Sequence, residues 1–203
     1  YSIRRSNSYA LQAALTELGC AADQFHLPDP PDMLDVEVKK ILQHYSLIIF
    51  SGGVSKGKYD YIPQTLEQNG IQKRFHQVSQ RPGKPIWFGT SAKHVVFALP
   101  GNPVSTYMCF YRYIKPWLMK SLGSDVPVQQ VVLAQNFTFK PSLTYFLQVK
   151  VKNEMSQLKA YPDAGGGSGD FANLKDVDGF IELPAEVTDF KAGQVFRYFP
   201  FRS

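Results

Sequence analysis

The apolar positions of the chain follow two regimes. Leu11, Ala14, Leu15 and Leu18 lie on one face of a helix that Ser6 or Asn7 can cap and that Gly19 ends. Residues 21–27 read as a short strand, and Asp29-Pro30-Pro31 as a break. Met33, Leu34, Val38, Ile41 and Leu42 return to helical spacing over 33–44. Leu47-Ile48-Ile49-Phe50 is then a continuous apolar run, the pattern of a strand buried on both faces. A helix fits residues 62–68, stopped by Asn69-Gly70. Strands fit 74–78, 86–88 and 95–99, and a long helix runs from Pro103 to about Leu122, with proline in its first turn. Helix alternating with strand predicts an α/β layer built on parallel strands. Beyond Gly123 the helical period disappears. Residues 131–133, 145–151, 158–161, 180–183 and 195–199 are short, β-branched or aromatic, and separated by turn residues. The expected architecture is an α/β domain over 1–123 followed by a small all-β barrel over 125–203.

Composition narrows the function classes. The 203 residues are 44% hydrophobic and 19% charged, a globular balance rather than a disordered one. The chain begins with Tyr1, as a piece of a longer protein would. No run approaches the roughly 18 apolar residues of a membrane span, and no signal peptide is visible. Net charge is +5, but Arg4-Arg5, Lys39-Lys40, Lys56 with Lys58, and Arg81 with Lys84 are short scattered groups. That argues against a nucleic-acid arm and suits either an ordinary surface or an anionic small molecule. Cys20 and Cys109 have no CxxC partner, and His26, His44, His76 and His94 lack metal-ligand spacing. Cys109 fits a helical core position. A reducing, cytoplasmic compartment follows as the expectation.

Three segments carry candidate chemistry, because ligands of open α/β sheets bind beyond strand ends. The first is SGGVSKGKYDYIPQTL, residues 51–66. Gly52 and Gly53 let backbone N–H groups approach an anion, and Ser51 and Ser55 can donate to it. Asp60, near the next helix, can cap that helix, bind a cation or act as a base. The second is Arg81-Pro82-Gly83-Lys84-Pro85, a stiff turn with two cations that is either an anion clamp or a solvated loop. The third is Leu99-Pro100-Gly101-Asn102-Pro103-Val104-Ser105, a strand end leading into a helix start, where free N–H groups and the helix dipole favour phosphate. It is neither a Walker loop nor a GxGxxG.

SGGVSKGKYDY, RPGKPIWFG and ALPGNPVS, in this order and spacing, resemble the molybdopterin molybdenumtransferase family, MoeA and the E domain of gephyrin. NSYALQAALTELGC is similar to the family's preceding helix. SLTYFLQVKV, GGGSGDFANLKDVDGFIELP and EVTDFKAGQVFRYF are similar to its C-terminal β domain. The resemblance implies a three-layer molybdopterin-binding α/β domain with a parallel sheet, then a β-barrel. It implies insertion of molybdate into adenylylated molybdopterin with release of AMP, assisted by Mg²⁺. It also implies a cytoplasmic homodimer with its site between subunits, and contact with the adenylyltransferase of the preceding step. By position, Asp60 is implied near the metal and pyrophosphate, as catalytic residue and Mg²⁺ ligand. Ser51, Gly52, Gly53 and Ser55 are implied to line the phosphate pocket. Lys84 is the implied catalytic contact to molybdate or phosphate, within a loop that also brings Arg81 and Gly83. Gly101, Asn102 and Ser105 form the implied helix-start anion site, and Ser168 matches a serine of the β domain.

The chain also departs from the family. Arg81 stands where lysine is common, Gln148 where a strand motif usually has arginine, and Asp170 and Phe171 where apolar residues follow Ser168. The family's STGDEL strand and its two N-terminal domains do not precede Tyr1. The resemblance therefore reads as the C-terminal half of the transferase, weakly active or inactive by itself. The alternative is a non-catalytic molybdopterin-binding or scaffold module of the gephyrin E-domain type, which would bind a peptide with or without pterin.

Overall fold

The computed structural model describes residues 6–28, 30–54, 61–163 and 174–202. Helix α1 (Ser6–Glu17) buries Leu11, Ala14 and Leu15, the stripe set by their spacing. Gly19, at φ 73°, turns the chain out of it, and Cys20 N donates back to Leu15 O at 2.9 Å. Residues 21–27 form no strand, contrary to the sequence reading. Side chains hold this segment instead of a ladder: Gln12 Nε2 donates to Ala22 O at 3.0 Å, and Tyr45 Oη to Asp23 Oδ2 at 2.6 Å.

Helix α2 (Pro31–His44) turns Leu34, Val38 and Ile41 inward. Strand β1 (Leu47–Ser51), helix α3 (Ile62–Gln68), strand β2 (Gln72–His76), the two-residue strand β3 (Gln80–Arg81), and strands β4 (Trp87–Thr90) and β5 (Val95–Leu99) follow. Helix α4 (Pro103–Cys109), a π-helical turn (Phe110–Ile114) and helix α5 (Lys115–Ser121) form the long helical stretch. Packing separates two units: Tyr1–Val78 with Gly83–Tyr107, and Ser79–Pro82 with Met108–Ser203. The change of sequence rhythm lies near residue 123, whereas packing divides the helical stretch after Tyr107.

In the first unit the sheet order is β1-β5-β4-β2. Among the described residues of this unit only β1 and β5 run parallel; β4 is antiparallel to β5 and β2 to β4. The sheet therefore carries the expected parallel pairing at β1–β5 and adds antiparallel strands that the sequence reading did not include. The four residues 91–94 between β4 and β5 allow only a reversal, since a parallel crossover needs about a dozen residues or more. Ser91 closes that reversal, its N–H donating to His94 O at 2.9 Å. Strand β1 pairs only with β5 among the described residues, and its burial alternates: Ile48 and Phe50 are buried, Leu47 and Ile49 half-buried. One face of the run is thus buried and the other only partly covered. Leu34, Val38, Ile41, Ile48, Phe50, Leu66, Ile71, Trp87 and Val96 form the core. Each such side chain contributes about 1.5–3 kcal/mol on burial.

The second unit continues with β6 (Gln129–Leu133), β7 (Phe137–Thr138), β8 (Thr144–Glu154), β9 (Gln157–Pro162), β10 (Gly179–Leu183), β11 (Asp189–Phe190) and β12 (Val195–Pro200). The order β10-β12-β6-β9-β8 closes on itself through β8–β10, giving a five-stranded barrel. These five strands are the five short apolar runs of the sequence. Val131, Leu133, Leu147, Val149, Ala160, Ile181 and Leu183 form one buried cluster. The alternate residues are buried too. Phe146 meets Phe199 edge-on at 6.0 Å, Phe180 lies 5.4 Å from Phe201, and Tyr111 of the π-helical turn lies 5.9 Å from Phe201. This aromatic seam explains why the strands read as nearly continuous apolar runs.

The π-helical turn has a local cause. Pro116 offers no N–H to the Arg112 carbonyl four residues back, so the ladder slips and Lys115 N–H donates to Phe110 O instead. On this stretch Tyr113 Oη donates to the buried Gln80 Oε1, which fixes β3 to the unit. Burial raises the Tyr113 phenol from 10.0 to about 12, with Cys109 adding to the rise. The folded state therefore holds that proton where the unfolded chain releases it. Stability is full below pH 10 and falls as pH rises to about 12. Urea unfolding measured across that range should show this decline. Tyr113→Phe should make it shallower, the raised phenols of Tyr198 and Tyr145 keeping part of it, while lowering stability near neutral pH because Gln80 loses its donor.

Candidate functional site

Strand register brings the three candidate loops to one edge of the first sheet. Ser51, the last residue of β1, pairs with Leu99, the last residue of β5. Trp87, the first residue of β4, pairs with Ala98 near the same end of β5, and His76 at the end of β2 pairs with Trp87. The loops after β1 and β5 leave from this edge, and the Gly83-Lys84 turn enters it. The last arrives there because β4 is antiparallel. In the parallel sheet expected from the sequence it would lie at the opposite edge.

The loops after β1 and β5 interlock. Gly52 N donates to Leu99 O at 2.9 Å. A Cβ on Gly101 would stand 3.3 Å from Gly52 Cα, so the two backbones touch where side chains are absent. Asn7, in the first turn of α1, spans both: its Nδ2 donates to Ser51 Oγ and to Gly101 O, each at 2.8 Å. Thr106 stitches the second loop, its Oγ1 donating to Pro100 O at 2.6 Å, with Asn102 O sharing the same hydrogen at 3.0 Å. Ser51 remains exposed, whereas Ser105 is buried at 4% exposure. Asn7 Oδ1 and Asn102 Oδ1 are buried acceptors without a hydrogen-bond partner among the described residues. The first loop is also held across the sheet end. His76 Nε2 lies 3.2 Å from Val54 O and donates to it, since a carbonyl only accepts.

The Pro-Gly-Lys-Pro turn is a hairpin of backbone bonds: Val78 N donates to Lys84 O at 2.9 Å and Ile86 N to Gly83 O at 3.2 Å. Lys84 is exposed. Arg81 belongs to the second unit, where β3 pairs with β8 and Arg81 faces Tyr145 in the ladder. Ser55, Asp60 and Ser168 lie outside the described residues. Sequence reasoning reached the loops but missed what ties them. Asn7 read as a helix cap, and nothing in its spacing connects it to Gly101, 94 positions away. Thr106 had a signal: a threonine four residues after the turn residue Asn102, at a helix start.

Comparison with known proteins covers both units. A family described as "Probable molybdopterin binding domain" matches residues 2–120. The chain belongs to the molybdopterin-binding domain family. A second family, the "MoeA C-terminal region (domain IV)", matches residues 130–201. Curated proteins named molybdopterin molybdenumtransferase from Synechocystis sp. and Synechococcus elongatus are 38% and 39% identical. They align with 98% and 94% of this chain and with 50% and 48% of their own lengths. The chain thus spans about half the length of the curated relatives it matches. A crystal structure of a molybdopterin biosynthesis MoeA protein from Pyrococcus horikoshii superposes on 100% of the chain with TM-score 0.80 at 25% identity, using 51% of that protein. A second one, at 20% identity and TM-score 0.76, shows the same fold.

Gln148, where the resemblance expects arginine, is buried at 5% exposure in β8 opposite Phe180. A neutral amide there avoids desolvating a guanidinium.

The first loop yields a direct test of its packing. Gly53 sits at φ 69°, and a Cβ there would stand 2.7 Å from Ile62 Cδ1. Gly19 has a similar φ of 73° with open space around it. Gly19→Ala should cost about 1–2 kcal/mol, the left-handed backbone penalty alone. Gly53→Ala should cost more, because Ile62 must also move. Denaturant midpoints compare the two, and equal losses would show that Ile62 does not press on the loop.

Proposed function

We propose that this chain is the molybdopterin-binding and barrel portion of a molybdopterin molybdenumtransferase, which inserts molybdate into adenylylated molybdopterin and releases AMP. The observation that carries the reading is the meeting of three loops at one sheet edge, two of them locked together through Asn7. The amide group of Gly53 and the hydroxyls of Ser51 and Ser55 receive the phosphates, and Gly52, whose own N–H is bonded to Leu99 O, lets the backbone come close to them. The α4 start, with Gly101 and Asn102, adds the positive end of its backbone dipoles. Ser105, buried in that first turn, contributes through the backbone rather than its hydroxyl. Lys84 offers an exposed cation to molybdate or phosphate, and Arg81, Gly83 and Ser168 are the remaining binding residues that the resemblance implies. The protein works in the cytoplasm as a homodimer and takes its substrate from an adenylyltransferase.

The described residues offer neutral oxygens at this edge, and no group of three or more His, Cys, Asp or Glu among them could hold a metal. Magnesium does not require such a cage. It keeps several waters and uses one or two carboxylates with substrate phosphates, so Asp60 suffices as its protein ligand. When bound, the ion offsets negative charge building on oxygen as the phosphoanhydride opens. Without it, a carboxylate at Asp60 would repel the phosphate.

AMP release from adenylylated molybdopterin and molybdate tests the proposal. The 203-residue chain alone should release little AMP, since it covers half of its relatives' length; release at the rate of a full-length relative would overturn that expectation. In a chain of full family length, Asp60→Asn should abolish Mg²⁺-dependent turnover while binding of adenylylated molybdopterin persists. Near-normal turnover would make Asp60 a helix cap, because asparagine caps as well as aspartate.

A further inference from the structure

We propose that Asn7 is a positioning residue that turns the Ser51 hydroxyl into a committed hydrogen-bond donor for a phosphate ligand. A serine hydroxyl is ambivalent, with one hydrogen to give and two lone pairs to accept. An anion site needs the first and is harmed by the second. The surroundings of Ser51 occupy one of those lone pairs and leave the hydrogen uncommitted to Asn7. Gly101 O can only accept, so the Asn7 group 2.8 Å from it is the amide nitrogen. The second hydrogen of that nitrogen points to Ser51 Oγ, also at 2.8 Å. Ser51 therefore accepts from Asn7, and its own hydrogen is directed elsewhere. Ser51 is exposed at the end of β1, two residues before Gly53 and next to Gly52, whose N–H is bonded to Leu99 O, so that hydrogen is available to a ligand at this edge. Accepting a hydrogen bond also polarises the hydroxyl and strengthens it as a donor.

The same amide holds the two loops in register. Its two bonds join the ends of β1 and β5, which pair at Ser51 and Leu99. Gly52 and Gly101 make backbone contact beside it. Asn7 thus acts on the ligand through Ser51, without touching the ligand itself. An aspartate at this position would have nearly the same shape and the opposite polarity. It would accept the Ser51 hydrogen, leave Gly101 O without a donor, and present lone pairs to the anion.

The proposal rests on the reading of this edge as a phosphate site, and the experiment separates the two. Inorganic pyrophosphate is titrated into the 203-residue chain by calorimetry and by ³¹P NMR, with Ser51→Ala, Asn7→Ala, Asn7→Asp and the double variants. Denaturant midpoints check that each variant is folded. Ser51→Ala should weaken binding about tenfold or more, the worth of a hydrogen bond to a charged group. Asn7→Ala should weaken it in wild type and have little further effect in Ser51→Ala, and both single variants should move the bound ³¹P resonance. If Asn7→Ala does not fold, Asn7→Asp carries the same test. Its effect in Ser51→Ala is charge repulsion alone, so the larger loss expected with Ser51 present measures what passes through that hydroxyl. Equal losses from either Asn7 substitution with and without Ser51, or a lower midpoint with an unmoved ³¹P resonance, would reduce Asn7 to a structural staple and overturn the proposal. No binding of pyrophosphate by the wild-type chain would overturn the phosphate site and this proposal together. Binding lost in Ser51→Ala but untouched in every Asn7 variant would overturn this proposal alone.

Discussion

The antiparallel pairing of β4 with β5 is the constraint on which the site depends. Four residues separate the two strands, and a chain that short can only turn back. The reversal brings Trp87 opposite Ala98, so the turn carrying Gly83 and Lys84 enters the sheet where β1 and β5 leave it. Three loops from distant parts of the sequence thereby share one edge. Backbone hydrogen bonds set this convergence, and side chains then refine it.

The refinement is done by small and neutral groups. Gly52 and Gly101 let two loops touch, and Asn7, Thr106 and His76 satisfy carbonyls that would otherwise be left open. Each such bond contributes about 0.5–1.5 kcal/mol to stability. Their larger effect is geometric: they fix where N–H and O–H groups point, and the proposed phosphate site depends on those directions. In the second unit, the barrel interior is one cluster and the aromatic seam from Phe146 to Phe201 is another. The stretch from Met108 to Ser121 packs with the barrel strands in that unit, and the π-helical turn ahead of Pro116 places Tyr111 on the seam.

Much of this was legible in the sequence, for identifiable reasons. The five barrel strands stood out because β-branched and aromatic runs alternate with turn residues. Helix α2 stood out because Leu34, Val38 and Ile41 keep a strict spacing. The three loops were visible as glycine-rich ends of apolar runs. Strand direction was not visible in the apolar pattern, because parallel and antiparallel strands show the same side chains. The short connection at residues 91–94 held that information, and alternation of helix and strand outweighed it. Residues 21–27 looked like a strand because their composition is compatible with one, but glutamine and aspartate contacts to α1 and Tyr45 satisfy them locally. Asn7 was illegible as a loop clamp: its partners lie 44 and 94 positions away, and only the fold brings them together.

The central claim is that the three loops form one anion site. Amide chemical shifts of the 203-residue chain, followed while pyrophosphate is added, test it most directly. The amides of Gly52, Gly53, Lys84, Gly101 and Asn102 should shift together along a single saturation curve. Shifts confined to one loop, or separate curves for the three, would contradict it.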